Sequence, residues 1–393
     1  MKKDTQQDLS HNSKLEYLPR RLDVISNTND LEHVFSLVDF PVFLGCTDEP
    51  IDKDIKAEMS FSISKKSGCV QLDKLIPLHI LYAENHATVV GELWESHHKN
   101  FAEFLKDLNP NNVLEIGGAH GMLCKNFQSI NPSINWTIIE PNPIPVENIK
   151  AKYIRAFFDD SFITNENFDM VVHSHTLEHS YNPQKFISDI SKFLSKGNFH
   201  CFSVPNIEEW LKRKYTNALN FEHTYLLNDF YIENLLTSNG FKIIKKQEFG
   251  DKHSTFYAAV KSEAIVDKKD NYPIAMYENN LNLINTYKNY LTDEVSKINN
   301  ELSQIKAPVY LFGAHVFSQT LICLGLDTKN IKFLLDNSEA KIGKRLYGTN
   351  LLVQSPKILK DEKNPTVIIR AGAYQNEIID GIRKLHNSNT KFI

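Results

Sequence analysis

The chain has 393 residues, 41% of them hydrophobic, too many for one ordinary core, so two or three domains are expected. Lys plus Arg number 44 against 48 Asp plus Glu, a net charge of −4, and no basic run is dense enough for a nucleic-acid surface; a small or soluble partner is expected. No apolar stretch reaches the roughly 18 residues of a membrane span, the start MKKDTQQDLSHNSKLEY lacks a secretory apolar segment, and Cys46, Cys69, Cys124, Cys201 and Cys323 stand singly, which together predict a cytoplasmic protein with reduced thiols.

Residues 1–20 are polar and without periodicity, the pattern of a loosely docked tail in which no chemistry is visible. Over 21–80, the short apolar pieces VFSLV, FPVFL, SFSIS and VQLDKLIPL predict a small strand-containing module. A third unit is expected over 81–265. It opens with the helix LWESHHKNFAEFLKD, whose Leu93, Trp94, His97, Phe101, Phe104 and Leu105 recur at helical spacing. NVLEIGG, WTIIEP, FDMVVHSH and FHCFSVPN then alternate with helical stretches, as in a parallel α/β sheet. FKIIKKQEF and STFYAAVK follow with no helix between them, which predicts an antiparallel edge of the kind that ends the sheet of S-adenosylmethionine (SAM) methyltransferases and not that of dehydrogenases. A connecting segment, 266–306, carries Leu281, Leu283, Ile284, Tyr287, Leu291, Val295, Ile298 and Leu302 at three- and four-residue steps, predicting one long amphipathic helix. PVYLFGAH, VFSQTLICLG, IKFLLDN, TVIIRAG and YQNEIIDGIRKLH form a second α/β unit over 307–393. The expected architecture is α/β: a class I SAM-methyltransferase sheet, a C-terminal Rossmann-like domain and a small N-terminal module.

The segment VLEIGGAHG runs a strand into a turn containing Gly117, Gly118, Ala119 and Gly121, where backbone passes close to a ligand. It lacks the full dinucleotide fingerprint, which SAM, having no pyrophosphate, does not require. Glu115 suits the methionine amino group, and Glu140, ending WTIIE, suits the two ribose hydroxyls. Phe158 and Asp159 are expected beside the adenine, with two core phenylalanines and a surface acid as the alternative. In HSHTLEHSYNP, His175, Glu178 and His179 lie at the carboxyl edge of the sheet; His175 is assigned to the cofactor, and Glu178 with His179 to packing of the loop. No third metal ligand stands at suitable spacing, so no metal is expected. Asn220, Glu222 and His223 lie outside the regular sheet, where a His–Glu pair offers a base or only a capped loop.

Several separated motifs resemble one family, the sugar C-methyltransferases of deoxysugar biosynthesis. VLEIGGAHG resembles its VLEIGSNDG, TLEH its VLEH, NFEHTY its YHEH-x-SY, and SGCVQLDKL the CGLVQL of its zinc module. GAHVFSQTLICLG with LLDNSEAKIGKRLYGTNL is similar to its C-terminal Rossmann-like domain. The resemblance implies SAM as cofactor, a sugar or nucleotide-sugar held between the central and C-terminal domains, and His223 as proton acceptor beside Glu222. Such an enzyme serves surface-glycan or specialised-saccharide synthesis. The pattern also departs from the family: Ser64 and Ser67 stand at the two cysteines of its zinc-binding CxxCG, with Gly68 at the glycine, and the earlier cysteine pair is absent around Asp23 to Ser26, so zinc is expected to be missing; Asn220 replaces a tyrosine, and His86 falls near the upstream catalytic tyrosine. Carbon methylation is therefore only slightly favoured over methylation of a sugar hydroxyl, and a non-catalytic ligand-binding or scaffold protein is the competing class. The oligomeric state is not legible.

Overall fold

A computed structural model describes residues 15–83, 91–159, 161–262 and 272–393. Strands β1 (Leu31–Pro41), β2 (Lys56–Ser64) and β3 (Val70–Leu72) form an antiparallel sheet near the N-terminus. The segment before it is not a loose tail throughout. Leu18–Pro19 pairs with Lys74–Leu75, and the buried Arg20 guanidinium donates to the carbonyls of Thr224 (2.7 Å), Leu72 (3.2 Å) and Tyr181 (2.7 Å). Ser64 and Ser67, at the expected zinc positions, tie their turn by hydrogen bonds: Ser64 Oγ donates to Asp30, and Ser67 Oγ accepts from Cys69 N.

The central unit begins with α1 (Glu92–Leu105), whose inner face buries His97, Phe101, Phe104 and Leu105. It continues through β4 (Asn112–Ile116), α2 (Met122–Ile130), β5 (Asn135–Ile139), β6 (Lys152–Ile154), β7 (Met170–Ser174), α3 (Pro183–Phe193), β8 (Phe199–Pro205), α4 (Ile207–Lys212), α5 (Asp229–Ser238), β9 (Phe241–Phe249) and β10 (Ser254–Lys261). Local chemistry sets the boundaries. Asn182 caps α3 by accepting from Lys185 N, with Pro183 at the first helical position, and Asn228 caps α5 by accepting from Tyr231 N. The seven strands lie in the order β9-β10-β8-β7-β4-β5-β6, parallel except around β10, which runs antiparallel to both β8 and β9. This is the class I SAM-methyltransferase sheet, closed by the antiparallel edge that the tight FKIIKKQEF–STFYAAVK junction predicts. The chain reverses direction about its first strand, β4, so a crevice opens between the carboxyl ends of β4 and β7, where open α/β sheets receive ligands.

Helix α6 (Ala275–Leu302) spans 28 residues, about 42 Å at 1.5 Å per residue. Its Ile284, Tyr287 and Leu291 join a cluster with Phe40, Phe61, Trp210 and Phe221, whereas Val295, Ile298 and Leu302 enter a different cluster with Leu311, Leu334 and Ile368. One amphipathic stripe thus serves both ends of the molecule. The C-terminal unit contains β11 (Val309–Phe312), α7 (Val316–Cys323), β12 (Ile331–Leu335), β13 (Val353–Gln354), β14 (Thr366–Ile369), α8 (Gln375–Leu385) and β15 (Lys391–Phe392). Its sheet is parallel, ordered β13-β12-β11-β14-β15, a second α/β domain. Arg345 clasps Asp54 through two hydrogen bonds of 2.6 and 2.7 Å, fastening this unit to the N-terminal one. Among the described residues no helix is long and apolar enough to cross a membrane, and all five cysteines are free.

Candidate active site

Strand β4 delivers the buried Glu115 to the sheet edge, where Trp136 Nε1 donates to its Oε2 at 2.7 Å. Burial pushes this carboxyl up to about 8, opposed by the Trp136 bond and reinforced by Glu140. The turn beyond it has no room for side chains. Gly117 has φ +71°, and a Cβ there would lie 2.9 Å from Thr176 Oγ1; at Gly118 it would lie 2.7 Å from the Glu115 carboxyl carbon. Ala119, with φ +40°, donates its N–H to Glu140 Oε2 at 3.2 Å, while Asn142 N donates to Oε1 at 3.0 Å. Gly121 has φ +76° and starts α2. Each carboxylate oxygen of Glu140 retains a further acceptor site for a ribose hydroxyl. The donor set therefore fits SAM: a buried acid for the ammonium, bare backbone for close approach, and a second acid on the next strand.

The remaining cofactor candidates divide. His175, also in the left-handed region with φ +51°, directs Nε2 to Ser254 Oγ (3.0 Å) and packs its ring edge-on against Trp94 and His97. Phe158 instead packs among Phe162, Phe186 and Phe193, and exposed Asp159 accepts from Ser161 N and Oγ in its own turn. Phe158 and Asp159 thus make the contacts of a packed ring and a surface acid, and of the two phenylalanines in the alternative only Phe158 is packed. Phe157 is the exposed ring there, meeting Tyr82 edge-to-face at 6.5 Å.

The second group of residues converges from two loops. The turn after β7 carries Glu178 and His179, and the loop between α4 and α5 carries Asn220, Glu222 and His223. Strand β3 holds the latter loop: Leu72 N donates to Thr224 O, and Leu226 N to Val70 O. Thr224 N also donates to Glu178 O, locking the two loops together. Asn220 is buried and its Oδ1 accepts from the N–H groups of Glu222 (2.7 Å) and His223 (3.1 Å). Its side chain shapes the turn instead of facing a sugar, as a short amide does where it can cap its own backbone.

His223 Nδ1 lies 2.7 Å from Ala218 O. A carbonyl only accepts, so Nδ1 carries the proton and Nε2 keeps the lone pair. Burial, helped by His179, lowers the imidazole to about 4, leaving it neutral at physiological pH and competent as an acceptor. The buried carboxyl of Glu178 faces it. Neither Glu178 oxygen has a hydrogen-bond partner, and the nearest imidazole nitrogens are His175 Nδ1 at 3.6 Å and His179 Nε2 at 4.0 Å from Oε1. Burial, with a contribution from Glu222, pushes Glu178 up to about 8. Glu178, His179 and His223 each bring one ligand atom to within 4.8 Å of the others. The expectation of no third metal ligand therefore fails geometrically: the third comes from a different loop, which spacing along the sequence does not reveal.

One participant escaped the sequence. The Tyr82 phenol lies in electrostatic range of Glu222, Tyr181, Glu178 and Glu140, spanning the acids of both groups. Its only signal was an aromatic residue at the start of the segment expected for the central unit. His86, the nearby candidate, lies outside the described residues.

Comparison with known families gives a "Methyltransferase domain" over residues 90–246 and a "C-methyltransferase C-terminal domain" over 246–393. No curated protein matches the chain. Among solved structures, the plantazolicin methyltransferase BpumL, in complex with a monoazolic desmethylPZN analog and SAH, is 13% identical, with 43% of this chain and 84% of that one covered at a TM-score of 0.34. Magnesium protoporphyrin IX methyltransferase from Synechocystis PCC 6803, with bound SAH, is 14% identical, with coverages of 43% and 84% and a TM-score of 0.35. The 1,6-didemethyltoxoflavin-N1-methyltransferase of Burkholderia thailandensis is 14% identical, with coverages of 44% and 82% and a TM-score of 0.36.

Proposed function

We propose that this chain, a SAM-dependent methyltransferase whose methyltransferase domain precedes a C-methyltransferase C-terminal domain, methylates a carbon of a sugar or nucleotide-sugar. The observation that carries the reading is the buried, neutral His223, its Nδ1 held by Ala218 O and a ring nitrogen within 4.8 Å of ligand atoms of Glu178 and His179. SAM, when bound, supplies a methyl group on a sulfonium centre to a carbon nucleophile. Making that nucleophile falls to the protein. His223 Nε2 takes a proton from the carbon next to a sugar ketone, the C–H electron pair passing into the enolate. Glu222 stabilises the imidazolium so formed, and the Ala218 carbonyl keeps the ring aligned. Asn220 sets the base by fixing the Glu222–His223 turn. Glu115 would hold the methionine ammonium and Glu140 the ribose hydroxyls of the cofactor.

The test is methyl transfer from labelled SAM across a panel of keto-sugar nucleotides. Transfer to at least one, retained in protein that folds and binds SAM, is expected; SAM binding without transfer to any sugar would overturn the substrate assignment.

A further inference from the structure

Burying a carboxyl group with neither oxygen hydrogen-bonded is costly unless something else satisfies it. Glu178 is in that position, 3% exposed, with imidazoles around it and none within bonding distance. We propose that Glu178, His179 and His223 form a binding site for one transition-metal dication of the Zn²⁺ or Co²⁺ type. Two imidazoles with one carboxylate are a ligand set that such ions favour and that Mg²⁺ and Ca²⁺ do not.

The surroundings meet the further demands of a metal site. A ligating imidazole characteristically donates its other N–H to a carbonyl, which fixes the tautomer; His223 does so to Ala218 O at 2.7 Å. His175, anchored through Nε2 to Ser254 Oγ, places Nδ1 3.6 Å from Glu178 Oε1. Ligand atoms spread over as much as 4.8 Å must draw in to the edge of about 3.4 Å that a tetrahedral ion with 2.1 Å bonds requires. Closing that distance requires the side chains of Glu178 and His179 to move. Three protein ligands leave a fourth position for water or another ligand.

The inference goes beyond the proposed reaction, because the ion needs neither SAM nor sugar. It also has a consequence for that reaction. An ion on His223 Nε2 occupies the lone pair that proton abstraction requires, so Zn²⁺ acts as an inhibitor and the metal-free protein is the active form.

The experiment uses the full chain stripped with EDTA, titrated calorimetrically with Zn²⁺ and followed by visible absorption with Co²⁺. One ion per chain is expected, with affinity falling at least about tenfold in both His179→Ala and His223→Asn. Calorimetric binding of SAM by the same variants certifies that each is folded, and Glu178→Gln supplies a third variant should one fail that control. Absence of Zn²⁺ binding and of a Co²⁺ spectrum overturns the proposal, as does unchanged ion affinity in SAM-binding variants. Methyl transfer by EDTA-treated protein is read separately, so loss of the metal proposal leaves the methyltransferase reading intact.

Discussion

At the scale of single residues, the proposed mechanism gives Glu140 the binding role and His223 the chemical one. Glu140 holds Ala119 N and Asn142 N, keeping its carboxylate at the mouth of the glycine turn. Glu140→Ala removes the acceptor for the ribose hydroxyls and is expected to weaken SAM binding by roughly 1 to 3 kcal/mol, measured by calorimetry. Unchanged affinity in folded protein would remove Glu140 from the cofactor site. His223→Ala leaves that site alone. Turnover should drop by about 10²- to 10⁴-fold while SAM affinity persists, because only the proton acceptor is lost. A variant that turns over near the wild-type rate would show that another group takes the proton.

At the scale of elements, the catalytic loop is held by strand β3 and by Arg20, whose guanidinium reaches the Thr224, Leu72 and Tyr181 carbonyls. Arg20→Ala strands those buried acceptors and is expected to cost about 2 to 3 kcal/mol in urea denaturation. An unchanged unfolding midpoint would mean that β3 alone positions the loop. Regular elements were legible because each one announces itself locally: VLEIGGAHG alternates from a buried run to glycines at its end, and the α6 stripe repeats every three or four residues. The helper residues were not. Arg20 sits in a stretch that reads as a polar tail, and its importance depends on carbonyls more than fifty residues away in every case. Asn220 takes the place of a tyrosine in the family resemblance, but its side chain turns back on its own loop. Phe158 shows the same limit: sequence gives the aromatic pair, while a turn decides which ring faces inward.

At the scale of the whole molecule, buried titratable groups set the response to pH. His97, His173, His175, His200, His223 and His253 are all lowered by burial from an ordinary value of 6.5. Below 6.5 the unfolded chain therefore binds more protons, and stability falls with acidification. Glu115 and Glu178 act oppositely. Raised from 4.5 to about 8, they keep protons in the folded state that the unfolded chain has released, so stability declines as pH rises through that interval. Between 4.5 and 6.5 the more numerous histidines dominate; well above 6.5 the two carboxyls take over, joined toward pH 9 by the buried thiols of Cys69, Cys124 and Cys201, which burial raises. Thermal denaturation of cofactor-free protein should accordingly give a maximum near pH 6.5, with Glu178→Gln reducing the alkaline decline. A midpoint that rises steadily from pH 6.5 to 9 would contradict this balance.

The proposed reaction joins the three scales: a cofactor at the glycine turn, a neutral base on two interlocked loops, and a sugar carbon as acceptor. The most direct measurement is NMR of the product formed with ¹³C-methyl SAM and the keto-sugar nucleotide that accepts the label. The account predicts a methyl resonance coupled to a ring carbon, with the label bonded to the carbon next to the ketone. A methoxy resonance, with the label on oxygen, would contradict it.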